Sequence, residues 1–209
     1  MIFIARNDDS LLSRWWWTID HWNLVQMLTL AIIGSIMILA AGSAVAIRNN
    51  LPELHFFIHH VYYLILSISA MIFTTFLSSK GIIRLSIIGF VICFLLLILV
   101  MIIGPDIKGS SRWLIISGFS VQPSEFIKPF FVILTAYLIS NQYKAIKFLP
   151  LFITRLHISL LLLLGILLFL LKQPDLGMSI IIILIWSGQL FLAGVSLRWF
   201  FLLFSLMGF

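Results

Sequence analysis

The segment Gln122-Pro-Ser-Glu-Phe-Ile-Lys128 places a carboxylate and an ammonium three residues apart. Pro123 suits a first helical turn, where an amide hydrogen is not needed. Glu125 in that turn is favoured by the positive end of the helix dipole, and Lys128 is disfavoured by it. At this spacing the two side chains share a helix face. The run that follows is apolar, so Lys128 lies about one turn into the membrane. A lone lysine costs about 2.5–3.5 kcal/mol at full depth, and less where it can snorkel. Lys128 therefore wants a carboxylate. Glu125 is one candidate and Asp175 is the other. In Lys172-Gln-Pro-Asp-Leu-Gly177, Pro174 separates two apolar runs and Asp175 opens the second, at the same membrane level. The expectation is a cluster with Lys128 between two carboxylates, each at a helix start. Such a cluster serves as a ligand site or as an ion pair locking two helices, and the residues allow both.

The loop Gly104-Pro-Asp-Ile-Lys-Gly-Ser-Ser-Arg-Trp113 adds a guanidinium, whose planar fork matches phosphate oxygens. Trp113 beside it can stack on a sugar or anchor at the headgroup level. Arg112 and Trp113 thus suit a phosphate-bearing ligand held in the membrane, and they suit an interfacial anchor equally well. His55 and His59 stand one helical turn apart, as metal ligands can, but no Glu follows His55 as a zincin helix would require, so no metal site is expected. Cys93 is alone within an apolar run and reads as a small core residue, with no disulfide framework to join.

The elements that carry these residues follow from composition. Of the 209 residues 62% are hydrophobic and 10% charged, with a mean hydropathy of +1.20. Soluble domains carry about 25% charged residues, so the solvent here is a bilayer. The net charge of +6 does not point to nucleic acid, because the basic residues sit in short loops between apolar runs. Those runs are Asn23 to Ile47, Val61 to Ser79, Leu85 to Pro105, Phe126 to Tyr143, Leu156 to Leu171 and Leu176 to Leu197. They lack the alternation of barrel strands, so the expected fold is all-α, a polytopic bundle of six complete spans. After Arg198 eleven residues remain. They reach about 16 Å, roughly half the hydrocarbon thickness, and read as a truncated seventh span.

Residues 1–22 read as a cytoplasmic N-terminal segment and 23–209 as the transmembrane domain. The first apolar run is too long for a signal peptide and reads as an uncleaved anchor. With the N-terminus inside, Arg6, Arg14, Lys80, Arg84, Lys144, Lys147, Arg155 and Arg198 face the cytoplasm. Arg48, Lys108, Arg112, Lys128 and Lys172 face outward, a bias of eight to five that agrees with the positive-inside rule. Glu53, Asp106, Glu125 and Asp175 fall on the outer side as well. Trp15, Trp16, Trp17 and Trp22 read as an interfacial belt or a surface-lying segment.

The stretches Gly109-Ser-Ser-Arg-Trp-Leu and Gly118-Phe-Ser-Val-Gln-Pro-Ser-Glu-Phe-Ile-Lys128, with Gln173-Pro-Asp-Leu-Gly177, resemble signatures of the SEDS (shape, elongation, division, sporulation) family. Arg14-Trp-Trp-Trp-Thr-Ile-Asp20 and Ala40-Ala-Gly-Ser-Ala-Val-Ala46 resemble its division-type branch rather than the elongation type. The resemblance covers nearly the whole chain. It implies a ten-helix bundle that polymerises lipid II into glycan on the outer leaflet of the bacterial inner membrane. It also implies work at the division site beside a class B penicillin-binding protein and other division proteins. It would put Arg112, Trp113, Gln122, Ser124, Glu125, Lys128 and Asp175 in or beneath the substrate cavity. There Arg112 and Lys128 would meet pyrophosphate or order the site, and Glu125 and Asp175 would hold Lys128. The family's catalytic aspartate lies in an outer loop after the seventh helix, beyond residue 209, so no residue here takes that role. A chain lacking that loop is expected to be inactive alone. The resemblance leaves a divalent cation open as cofactor, and lipid II transport and a scaffold role remain as alternatives.

Topology is directly testable. In a Cys93→Ser background, a cysteine at Ser110 is expected to react with an impermeant thiol reagent from outside intact cells. One at Lys144 should react only after the cytoplasmic face is opened; equal reaction from the cytoplasm would rule out this orientation.

Overall fold

The computed structural model describes residues 10–105, 110–116, 119–140 and 155–194. The chain divides into two compact units, Met1–Ser78 and Ser79–Phe209. The first holds α1 (Leu11–Thr18), α2 (His21–Arg48) and α3 (His55–Thr75). The second holds α4 (Ser79–Ile103), a hairpin of β1 (Leu114–Ile116) and β2 (Phe119–Val121), then α5 (Pro123–Ser140), α6 (Arg155–Lys172) and α7 (Leu176–Leu192).

In the first unit, Asp20 caps α2. Its Oδ1 accepts from the amides of Trp22 (3.0 Å) and Asn23 (3.2 Å). A capping carboxylate also complements the helix dipole, as Arg48 does in the last turn. The turn after α2 uses Asn50 at φ 56°, a left-handed conformation that asparagine tolerates. α2 and α3 pack against each other, yet most of their apolar side chains, such as Leu30, Ile36 and Leu66, stay exposed. In water such a surface would drive association. In lipid it is the natural outer face.

The second unit has a continuous core. Phe90, Cys93 and Leu97 of α4 meet Ile127 and Phe131 of α5, Leu163, Ile166 and Leu170 of α6, and Ile182 and Trp186 of α7. α4 packs on α5, α5 on α6 and α7, and α6 on α7. A Cβ on Gly89 would lie 2.5 Å from the Phe130 ring, so the bare glycine is what lets this ring approach α4. Polar contacts cross the apolar interior. Gln189 of α7 donates to the Val132 carbonyl (2.8 Å), and Thr135 lies 2.7 Å from Gln189 Oε1. Trp186 Nε1 donates to Ser159 Oγ across α6 and α7 (3.2 Å).

The helical membrane architecture is as expected; of the six expected spans, four, α2, α3, α4 and α6, are helices long and apolar enough to cross a bilayer among the described residues, and α5 is not one of them. α7 is apolar but shorter. The run expected to begin a seventh span lies outside the described residues. Some features were not expected, among them the start of α4 at Ser79 rather than Leu85. α3 begins at His55 rather than Val61, because His55, His59 and His60 enter the helix instead of preceding it. Between α4 and α5 the chain forms an antiparallel hairpin that pairs Leu114 with Val121 and Ile115 with Ser120. β-Branched and aromatic residues favour such pairing, but the segment is too short to announce itself as two strands.

Gln189→Leu and Thr135→Val are each expected to lower the thermal midpoint of the protein in detergent. Their double-mutant cycle should give a coupling of about 0.6 kcal/mol, with about 1.7 as a ceiling. Additive effects would mean that the Thr135–Gln189 pair carries no coupling energy.

Candidate functional site: a charged cluster at two helix starts

Arg112, Trp113, Gln122, Ser124, Glu125, Lys128 and Asp175 all belong to the second unit. Pro123 starts α5, and the Glu125 amide bonds the Gln122 carbonyl at 3.0 Å in its first turn. Pro129 interrupts the ladder just after Lys128, so the Glu125 carbonyl loses its usual amide donor. α7 starts after Pro174, with Asp175 as its cap. Asp175 Oδ1 accepts from the Met178 amide (3.3 Å), and the Asp175 carbonyl accepts from Ser179 Oγ (2.8 Å).

Lys128 pairs with Glu125 at 2.5 Å. Its Nζ also lies 3.6 Å from Sδ of Met178, which brings the first turns of α5 and α7 side by side. Asp175 pairs elsewhere. Arg112, from the strand-flanking loop, places Nη1 3.8 Å from Asp175 Oδ1, donates Nε–H to the Gln173 carbonyl (3.1 Å) and donates Nη2–H to the Pro174 carbonyl (2.6 Å). This corrects the expectation that Lys128 would sit between both carboxylates. The reason is geometric. The α6–α7 turn offers two backbone carbonyls beside a carboxylate, and a planar guanidinium reaches all three through separate nitrogens, whereas an ammonium presents its donors from a single nitrogen. Asp175 is also turned toward its own helix amide by capping.

The other expected residues are distributed as follows. Ser124 is buried, with its hydroxyl lacking a protein partner, as does Asp175 Oδ2. Gln122 is half-buried and Trp113 exposed. Neither makes a side-chain hydrogen bond among the described residues. Asp106 lies outside them. Two residues with structural parts in the cluster were not singled out in advance. Gln173 is buried and its Nε2 donates to the Leu97 carbonyl of α4 (3.2 Å), tying the α6–α7 turn to the core helix. Met178 meets Lys128. A buried amide beside a helix-breaking proline was the available signal for Gln173; nothing in residue type marked Met178.

Chemically, the site sets two cations, two carboxylates and two helix N-termini in one place. Each N-terminus acts as about half a positive charge. The balance attracts an anion, and helix starts with Arg and Lys are suited to phosphate oxygens. The Ser124 hydroxyl and Asp175 Oδ2 are buried polar atoms beside these charges without a hydrogen-bond partner. Among the described residues no group of three or more His, Cys, Asp and Glu could hold a metal ion.

Helices long and apolar enough to cross a bilayer, with charged residues gathered at two helix starts, define an integral membrane protein. Its sequence identifies the family: residues 21–209 match the profile FTSW_RODA_SPOVE, described as "Cell cycle protein", and the chain belongs to that family, the SEDS proteins. It is 30% identical over 203 residues to the probable peptidoglycan glycosyltransferase FtsW of Caulobacter vibrioides, covering 93% of this chain and 49% of that one. With the FtsW counterpart of Pseudomonas fluorescens it shares 34% identity over 186 residues, 86% of this chain and 44% of that one. The chain thus spans about half the length of the curated relatives it matches. Among solved structures it resembles a chain of a peptidoglycan synthase complex that coordinates polymerization and crosslinking (TM-score 0.58, 25% identity, 84% of this chain and 51% of that one). It also shares the fold of Thermus thermophilus RodA (TM-score 0.58, 24% identity, 84% and 57%).

Arg112→Ala is expected to destabilise the second unit by leaving the Asp175 carboxylate without its cation. The Arg112 side chain is 32% exposed against 8% for Asp175, so the loss should fall short of the about 3–5 kcal/mol of a fully buried pair. Adding Asp175→Asn should recover part of it, whereas Asp175→Asn should not rescue Lys128→Ala. Thermal unfolding of the four variants decides this. Rescue of Lys128→Ala by Asp175→Asn would restore the arrangement with Lys128 between the carboxylates.

Proposed function

We propose that this chain forms the N-terminal half of the membrane domain of a peptidoglycan glycosyltransferase that polymerises lipid II during cell division. The observation that carries the reading is the pairing of two helix starts with Arg112 and Lys128, a setting suited to the pyrophosphate of a lipid-linked sugar. The FtsW names of its relatives point to the same reaction. In this reading Lys128 and Arg112 sit beneath the diphosphate. Glu125 and Asp175 keep them oriented, while Gln122, Ser124 and Trp113 line the approach to the sugars.

The proposed setting is the bacterial inner membrane at the division site, with the N-terminus cytoplasmic and the cluster at the outer leaflet. Residues 1–22 form the cytoplasmic segment and 23–209 the membrane domain. Positive-inside asymmetry supports that orientation. The proposed partner is a class B penicillin-binding protein, supported by likeness to a chain from a synthase complex. The bundle contributes electrostatics and positioning to the transfer. A developing charge on the departing diphosphate is stabilised by fixed cations and helix dipoles that need no rearrangement.

The test uses the complete protein with its transpeptidase partner, purified lipid II and a gel readout of glycan. Lys128→Ala should slow polymerisation about ten- to a hundred-fold, the loss matching one charge-assisted hydrogen bond of about 1.5–3 kcal/mol. A complete protein that makes no glycan yet moves lipid II across vesicle membranes would replace the enzyme reading with a transporter. Binding to division proteins with neither activity would leave a scaffold.

A further inference from the structure

Three tryptophans of the first unit, Trp15, Trp16 and Trp22, fall into two groups with different surroundings. Trp15 is half-buried. Its Nε1–H donates to Thr75 Oγ1 at 2.6 Å, and its ring stacks on Phe76 at 5.5 Å with planes 17° apart. Thr75 and Phe76 are the last residue and the cap of α3. Trp16 and Trp22 are turned outward, 39% and 78% exposed. Only Ile19 and Asp20 separate α1 from α2. α2 and α3 are packed neighbours joined by a short turn, so the start of α2 and the end of α3 lie at the same end of the hairpin. Trp15 therefore fixes α1 at that end.

The depth of that end follows from length. α2 has 28 residues, and at about 1.5 Å each it spans roughly 42 Å. The hydrocarbon layer is about 30 Å thick and the bilayer with headgroups about 40–45 Å. The ends of α2 thus reach the headgroup layer, and Trp22 is its second residue. Trp16 packs edge-on against His21, the first residue of α2, with ring centres 4.6 Å apart, so it lies at the same level. From Ser10 to Trp22 the charged residues are Arg14 and Asp20, which cancel, and Asp20 is already committed to capping. An electrostatic partner is therefore disfavoured. An indole, with an apolar body and one polar N–H, suits the boundary between headgroups and acyl chains.

We propose that α1 is an interfacial anchor, clamped by Trp15 to the end of the α2–α3 hairpin, whose Trp16 and Trp22 insert into the headgroup layer of the bilayer whatever the lipid charge. The two roles are separable. Trp15 holds protein to protein, and the other two hold protein to lipid.

The full 209-residue chain is reconstituted in vesicles as three single-tryptophan variants that keep Trp15, Trp16 or Trp22, with the other tryptophans changed to Phe. Circular dichroism confirms that each retains its helices. Emission is quenched with lipids brominated near the glycerol end or near the chain terminus. Trp16 and Trp22 should be quenched at least about two-fold more by the shallow label than by the deep one, as interfacial indoles are. Trp15 should be quenched less than either by the shallow label. The pattern should be the same in purely zwitterionic vesicles and in vesicles containing anionic lipid. Emission from Trp16 and Trp22 that ignores both labels and yields to an aqueous quencher would overturn the proposal in favour of a protein-binding surface. Quenching that appears only with anionic lipid would overturn it in favour of electrostatic attachment.

Discussion

In hydrocarbon there is no water to complete a hydrogen bond, and every polar group that enters must bring its partner along. The backbone meets this demand by helix formation. Side chains meet it by pairing across helices. In the second unit the Gln189 amide finds the Val132 carbonyl, the Trp186 indole finds Ser159, and the Gln173 amide finds Leu97. The first two cross between helices and the third ties the α6–α7 turn to α4. Lipid chains are as apolar as Leu and Ile, so such bonds and the close fit of side chains, rather than hydrophobic burial, set which faces meet.

The same demand shapes the charged cluster. Arg112 closes the α6–α7 turn from outside, binding two carbonyls that lie beyond the helical ladder and facing the cap residue Asp175. Lys128 is held by Glu125 on its own helix and rests on Met178 of the next. The cluster is thus two ion pairs, one within α5 and one joining the segment before β1 to the start of α7. That arrangement leaves Ser124 Oγ and Asp175 Oδ2 unused. Arg112 and Lys128 are held in place by these partners, and cations fixed in advance lower the reorganisation that binding an anion would require.

Much of the architecture was legible in the order of residues. Long apolar runs with charges between them demand membrane helices because no other water-free backbone solution fits runs without alternation. Pro123 and Pro174 marked helix starts, since proline cannot continue a ladder but can open one. The Glu125–Lys128 pair followed from spacing on one helix, where neighbours in sequence are neighbours in space. The entry of His55 into α3 did not follow, because polar residues at a membrane boundary fit a helix end and a loop equally well.

The partner of Asp175 was decided by tertiary structure alone. Arg112 and Lys128 carry the same charge and both lie toward the outer side, so composition cannot choose between them. The choice turns on where the strand hairpin delivers Arg112 relative to the α6–α7 turn, a relation between segments 61 residues apart or more. The roles of Gln173 and Met178 have the same origin. Local chemistry dictates what a helix can be and which charges need company; long-range packing dictates which company they find.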